Sequence, residues 1–460
     1  MSKIIPINGR IAIIDDHVDQ ALPLMRVLAS HNMPYVFYDA SQMATYMPEK
    51  PENDIRILFL DLNLVGGRDS QPKDIHSMLY TTIKSVISPD NYPYVVILWS
   101  RQEKDYKKML EEIFAKQLSD RAPICIKEYV KSDFFPSFTE KEEPYDAERD
   151  AKILIELERI INDMPAYRNV LRWENCVHDS ADETIQDLFS DYHSSQDWHD
   201  NANCILDLFA QSYLEKQYQN SSQRERARAS LIFLNDVYGD TLESNVAKLD
   251  DVEAPEALNS VSEDRIRAIV SEVNESVLLS KVYDSIHQPG CVSCFDSGCQ
   301  EAIKACHGVL NNSISFAEIR NRVIGQLSDP TSPEAKNAVK TEIDNIKKAI
   351  KSSLIPVAIN VTPACDYAQN KYQFDRFVYG IIIESKFADL INTQSEAIYK
   401  SPNFNISGKD SVLVLNYRYF YTEKSQGNPK ILFRFRSSVL AEIQSKLARH
   451  ISRQGVMNLW

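Results

Sequence analysis

No stretch of this chain approaches the roughly 18 consecutive apolar residues that a membrane-spanning helix needs. The start, from Met1 to Pro6, carries a single lysine and soon meets Asp15 and Asp16, so a secretory leader is not expected. Eight cysteines in 460 residues are too few for a disulfide scaffold and imply a reducing, cytoplasmic setting. Glycine is scarce, 12 residues beside 20 prolines, which excludes long flexible linkers. Basic residues are outnumbered: 51 Lys and Arg face 65 Asp and Glu, a net charge of −14. That balance disfavours nucleic acid as the main partner, because binding a phosphate backbone needs a local basic excess. Neither a dinucleotide-binding Gly-x-Gly-x-x-Gly, a P-loop nor a His-Glu-x-x-His occurs.

What is present is ordinary globular material, 43% hydrophobic and 25% charged, in a length that suggests about three domains. Residues 1–138 alternate short apolar runs with amphipathic stretches. The runs are Ile11 to Ile14, Tyr35 to Tyr38, Ile57 to Leu60, Tyr94 to Trp99 and Ile124 to Val130. Uninterrupted apolar strands separated by helices predict a parallel sheet covered on both faces, a doubly wound five-stranded α/β domain. Residues 139–150 are charged and contain Pro144, the pattern of a linker or helix start. Residues 146–352 read as a mostly α-helical domain, with capping boxes expected at Ser180/Glu183 and Ser260/Glu263. Residues 353–460 read as a small α+β domain. Its strands from Ser411 to Tyr421 and from Pro429 to Arg436 flank Ser425 to Asn428, the pattern of a hairpin. Tyr417, Tyr419 and Tyr421 would share one packed face of it.

Polar residues close the strands of the first domain. Asp15 and Asp16 follow the first strand, Asp61 the third, Ser100 ends the fourth, and Lys131 ends the fifth. In open α/β sheets ligands bind at that carboxyl edge. Crowded carboxylates call for a hard cation such as Mg²⁺, which binds carboxylates and phosphates together. A lysine can then donate to phosphoryl oxygens while an aspartate attacks phosphorus in line.

This constellation resembles the receiver domain of two-component response regulators, over residues 11–136 and about a quarter of the chain. The residues that carry the resemblance are Asp15, Asp16, Asp61, Asn63, Ser100 and Lys131. It implies a flavodoxin-like fold and Mg²⁺ held by Asp16, Asp61 and the main-chain oxygen of Asn63, with Asp15 acting mostly through water. It also implies phosphoryl transfer from a histidine kinase to Asp61, registered by Ser100 and Lys131. Departures from the pattern are long insertions on both sides of Ser100, Ser132 where proline usually follows the lysine, and Glu128 at the usual aromatic position with Tyr129 beside it. Lys127 rivals Lys131 for the site lysine. Receivers with large extensions are similar to components of kinase-based anti-phage systems of the Detocs type. With no output motif in the chain, the implied role is signalling adaptor, regulator or phosphate sink. The alternatives are a phosphorylation-independent docking module or a receiver-regulated enzyme with its site at Cys365, Asp366 and Gln369.

Cys291, Cys294, Cys299, Cys306 and His307 could build a tetrahedral Zn²⁺ site, but their spacing matches no zinc motif, and helical cysteines are more often small buried residues. The basic, Phe-containing segment 429–454 could touch nucleic acid, but strand alternation accounts for it more simply.

Overall fold

The computed structural model describes residues 10–42, 47–61, 72–100, 106–135, 147–190, 195–250, 252, 261–283, 285, 287–325, 332–368, 374–424 and 430–452. These fall into two compact units, residues 1–205 with 231–256 and residues 206–230 with 257–460.

The first unit opens with β1 (Ile11–Asp15), α1 (Val18–Ser30), β2 (Tyr35–Asp39), β3 (Ile57–Leu60), α2 (Pro72–Val86), β4 (Val95–Ser100), α3 (Lys107–Lys116) and β5 (Cys125–Val130). All five strands are parallel, in the order β2-β1-β3-β4-β5. This is the doubly wound, flavodoxin-like topology expected for the segment. β1 and β3 are buried along their whole length. Their alternate side chains feed two cores, one on each face. Ile11, Ile13, Phe59, Ile97 and Trp99 face α1, while Ala12, Ile14, Leu58, Leu60 and Leu98 face α2 and α3. Fully burying each large aliphatic side chain stabilises the fold by about 1.5–3 kcal/mol.

α4 (Ala147–Asn162) lies beyond the charged run, yet its stripe Ile153, Leu154, Leu157, Ile160 and Ile161 packs into the same core as α1. It therefore covers the sheet, and the core extends past residue 138. α5 (Pro165–Phe189) adds Tyr167 and Leu171 to that core. Its Glu174 also receives Arg56 through Nε and Nη2, both at 3.0 Å, and pairs with Arg10. Ser180 and Glu183 do not open a helix. Both lie inside α5, where Asn245 donates to the Ser180 hydroxyl at 3.0 Å and to the Glu183 carboxylate at 2.8 Å. The helical region continues with α6 (Ser195–Leu214) and α7 (Gln223–Ala247).

The second unit carries α8 (Glu263–Leu278), which is capped by Ser262, whose hydroxyl accepts from the Arg265 N–H; the expected cap, Ser260, lies outside the described residues. Next come β6 (Leu279–Ser280), β7 (Cys291–Cys294), α9 (Gln300–Ser313), α10 (Phe316–Ile324), α11 (Pro333–Ser353), β8 (Ile355–Asn360), α12 (Ala364–Ala368) and β9 (Asp375–Glu384). The chain ends with β10 (Ile398–Lys400), β11 (Phe404–Ile406), β12 (Lys409–Glu423), β13 (Lys430–Phe435) and α13 (Ser437–Ile451). Its strand-rich core is one eight-stranded sheet, β10-β12-β9-β8-β7-β13-β6, with β11 beside β12. β6 and β7 join it from before residue 353. Val439, Leu440, Ile443 and Leu447 of α13 pack on one face, and Cys306, Val309 and Leu310 of α9 on the other.

The hairpin expectation fails here. β12 pairs with β9, β10 and β11, whereas β13 pairs with β6 and β7; residues 425–429 lie outside the described set. The three tyrosines do not share a face either. The β9 register shifts between Leu415 and Phe420, which breaks the period-two alternation. Tyr417 is buried against α13 and donates to Ile443 O, the Tyr419 hydroxyl accepts from Asn312 of α9, and Tyr421 stacks on Tyr379.

Among the described residues, no helix is long and apolar enough to cross a membrane.

Candidate functional site

The strand order reverses between β1 and β3, and their carboxyl ends deliver the acids to one place. Asp15 is the last residue of β1, Asp16 follows it, and Asp61 follows β3. The Asp61 N–H donates to Ile14 O at 2.9 Å, which seats Asp61 directly beside the end of β1. All three carboxylates are buried, and one oxygen of each lies within 4.8 Å of the others. Among the described residues, no other group of three or more His, Cys, Asp or Glu side chains could hold a metal.

β5 brings the balancing charge. Lys131 is 0% exposed, and its Nζ lies 2.6 Å from Asp15 Oδ2 and 3.2 Å from Asp61 Oδ2. Lys127 is elsewhere, half exposed and 4.0 Å from Asp163. The difference follows from position. Lys127 lies within β5, whereas Lys131 begins a tight turn that carries it over the sheet edge. Phe134 and Phe135 donate their N–H groups to Lys131 O, and both rings pack on Trp99 at 5.4 and 6.1 Å. The turn that holds the lysine is thus anchored in the core.

Three carboxylates share one buried ammonium, and the electrostatics show the deficit. Burial pushes the Asp15 carboxyl from 3.8 up to about 6; Lys131 opposes the rise and Asp61 adds to it. Asp16 is also raised by burial, with the His17 imidazole, 3.7 Å from its Oδ2, pulling the other way. Asp16 Oδ1 is buried with no hydrogen-bond partner. An orphaned carboxylate oxygen among three clustered carboxylates is donor chemistry that suits a hard dication, so the residues present fit Mg²⁺.

Ser100 closes β4 at the same edge, but its side chain and all of Asn63 lie outside the described residues. Tyr129, next to the usual aromatic position, donates its hydroxyl to Glu156 of α4 at 2.9 Å. His17 was not singled out in the sequence, although its place directly after the acid pair was a usable signal.

The other candidates stay apart. Cys291, Cys294 and Cys306 direct their thiols to three different backbone carbonyls, those of Ser285, Lys430 and Val357. Burial pushes the thiol of Cys291 up to about 11 and that of Cys306 up to about 12, away from the thiolate form that zinc requires. Cys365 is exposed, and Asp366 sits 3.4 Å from Arg376; Gln369 lies outside the described residues.

No protein-family model matches the chain, and no curated protein matches it. Among solved structures, full-length FixJ from B. japonicum is similar at 15% identity, covering 53% of this chain and all of that one with a TM-score of 0.20. At that score the likeness carries no argument; what the N-terminal domain itself has is an all-parallel, flavodoxin-like strand order with an acidic cluster at its switch point.

Proposed function

We propose that the N-terminal domain is a phosphoryl acceptor in two-component signalling, with Asp61 as the acceptor and a histidine kinase as the donor. The observation that carries this reading is the buried switch-point crevice, in which three carboxylates gather and one fully buried ammonium contacts two of them, Asp15 and Asp61. Asp16 and Asp61 would hold Mg²⁺, with the main-chain oxygen of Asn63 as the resemblance implies. When bound, the ion supplies charge neutralisation for the carboxylates and the incoming phosphate.

The protein's own groups supply the rest. A carboxylate oxygen of Asp61 forms the new bond to phosphorus while the bond from phosphorus to the donor's histidine nitrogen breaks, and the nitrogen keeps the electron pair. Lys131 already touches Asp61, so its ammonium can follow the negative charge onto the phosphoryl oxygens without a large movement. The Ser100 hydroxyl would donate to another phosphoryl oxygen. Asp15 holds Lys131 in place from the other side, a positioning role. Downstream, the chain would act as adaptor, regulator or phosphate sink. The phage-defence setting rests on the sequence resemblance alone.

The test is direct. Full-length protein is incubated with Mg²⁺ and acetyl phosphate, and its intact mass is measured. One adduct on the parent and none on Asp61→Asn is expected. No adduct on the parent, or an equal one on Asp61→Asn, would reject phospho-acceptance at Asp61.

A further inference from the structure

The crevice contains one nitrogen donor that an all-carboxylate magnesium site does not need. His17 is the residue before the first turn of α1, and its backbone N–H donates to Asp15 Oδ1 at 2.9 Å. That bond fixes the turn out of β1, so the imidazole emerges on the same side as the acid pair. Its Nε2 lies 3.7 Å from Asp16 Oδ2, and the side chain is 48% exposed. The neighbouring Asp16 is more than nine-tenths buried, and its Oδ1 has no partner.

Two adjacent ligands of an octahedral ion at about 2.1 Å stand about 3 Å apart. The observed separation would need to close by about 0.7 Å, a small swing for a half-exposed side chain. We propose that His17 is an inner ligand of this crevice, making it a mixed nitrogen–oxygen site that takes first-row transition-metal dications such as Mn²⁺ as well as Mg²⁺. The inference rests on reading the crevice as a cation site and adds a ligand to it. The physical reason is nitrogen affinity, which first-row transition-metal dications have and Mg²⁺ largely lacks. An imidazole nitrogen adds affinity for Mn²⁺ and its heavier neighbours, whereas Mg²⁺ gains little from exchanging a water for nitrogen. Asp15, bonded to Lys131 and to the His17 backbone, is occupied on both oxygens, which leaves Asp16 and Asp61 as the carboxylate ligands.

The experiment uses the full chain with one equivalent of Mn²⁺ and reads the electron spin echo modulation of the bound ion. Nitrogen-14 modulation in the parent, lost in His17→Gln, is expected. Removing the ligand should also weaken Mn²⁺ binding about tenfold while shifting Mg²⁺ affinity by less than about twofold. Bound Mn²⁺ that is lost in Asp61→Asn yet shows no nitrogen modulation would overturn the role of His17 and leave the acidic site standing. Failure of the parent to bind Mn²⁺ at all would overturn both.

Discussion

Replacing Lys131 by methionine keeps the volume of the side chain and removes the one ammonium that the described carboxylates share. In the parent, burial already raises Asp15 from 3.8 to about 6 with the lysine in contact. At roughly 1.4 kcal/mol per tenfold change, keeping that carboxylate charged costs the fold about 3 kcal/mol at neutral pH. Loss of one partner from a buried ion pair typically costs a further 3–5 kcal/mol. The pH dependence has a definite sign. Because the folded-state value of Asp15 lies above the unfolded one, the unfolded chain holds fewer protons between them, and stability falls as pH rises from about 4 to about 6. Without Lys131 the carboxyl rises further, so in the variant the decline continues above pH 6. Unfolding in urea, followed by circular dichroism and tryptophan fluorescence in metal-free buffer, should show Lys131→Met less stable by about 3–5 kcal/mol at pH 8, with a visibly smaller gap at pH 5. Lys127→Met, which loses only an exposed contact at 4.0 Å, should stay within about 0.5 kcal/mol of the parent. Equal midpoints for Lys131→Met and the parent at pH 8 would refute the electrostatic account of the crevice.

Asp16→Asn, which removes one crowded carboxylate, should raise metal-free stability by about 1 kcal/mol and abolish the Mg²⁺-induced thermal shift; a parent-like shift in scanning fluorimetry would count against Asp16 as a ligand. Glu174→Gln leaves the two largely buried guanidinium groups of Arg10 and Arg56 short of a charge partner and should cost about 3 kcal/mol in calorimetry or denaturant unfolding. Gly380→Ala places a methyl group 2.6 Å from Leu415 Cδ2 and 2.8 Å from the Val414 carbonyl, so a loss of about 1–3 kcal/mol is expected on thermal unfolding; a neutral result would show that β9 and β12 can part more easily than their packing suggests.

The correspondence between sequence and fold depended on how far apart the interacting residues lie. The five strands of the first domain were legible because each is a short apolar run buried on both faces, and each of the three acids follows such a run. The cover of that sheet was harder to read. A charged run at 139–150 looks like a boundary, yet the stripe from Ile153 to Ile161 beyond it belongs to the same core. The Ser180/Glu183 pair matches a capping pattern, but a cap forms only where a helix begins, and Tyr167 and Leu171 had already committed α5 to the core upstream. The hairpin signal at 425–428 failed for a related reason. Turn residues permit two strands to pair, but hydrogen-bonding partners were chosen by the whole sheet, and β13 settled between β6 and β7.

Sequence alone determined that an α/β domain with acidic strand ends opens the chain, because apolar periodicity and the order of residues along a strand are local properties. Only the folded structure shows which of two lysines four positions apart lies against the acids. The choice turned on a turn anchored by Phe134 and Phe135 against Trp99, which lifts Lys131 over the sheet edge and leaves Lys127 near Asp163. It also placed His17 beside Asp16, through a backbone bond to Asp15 that exists only once β1 and α1 meet at their turn. Charge compensation is a sum over neighbours in space, and those neighbours come from strands more than a hundred residues apart.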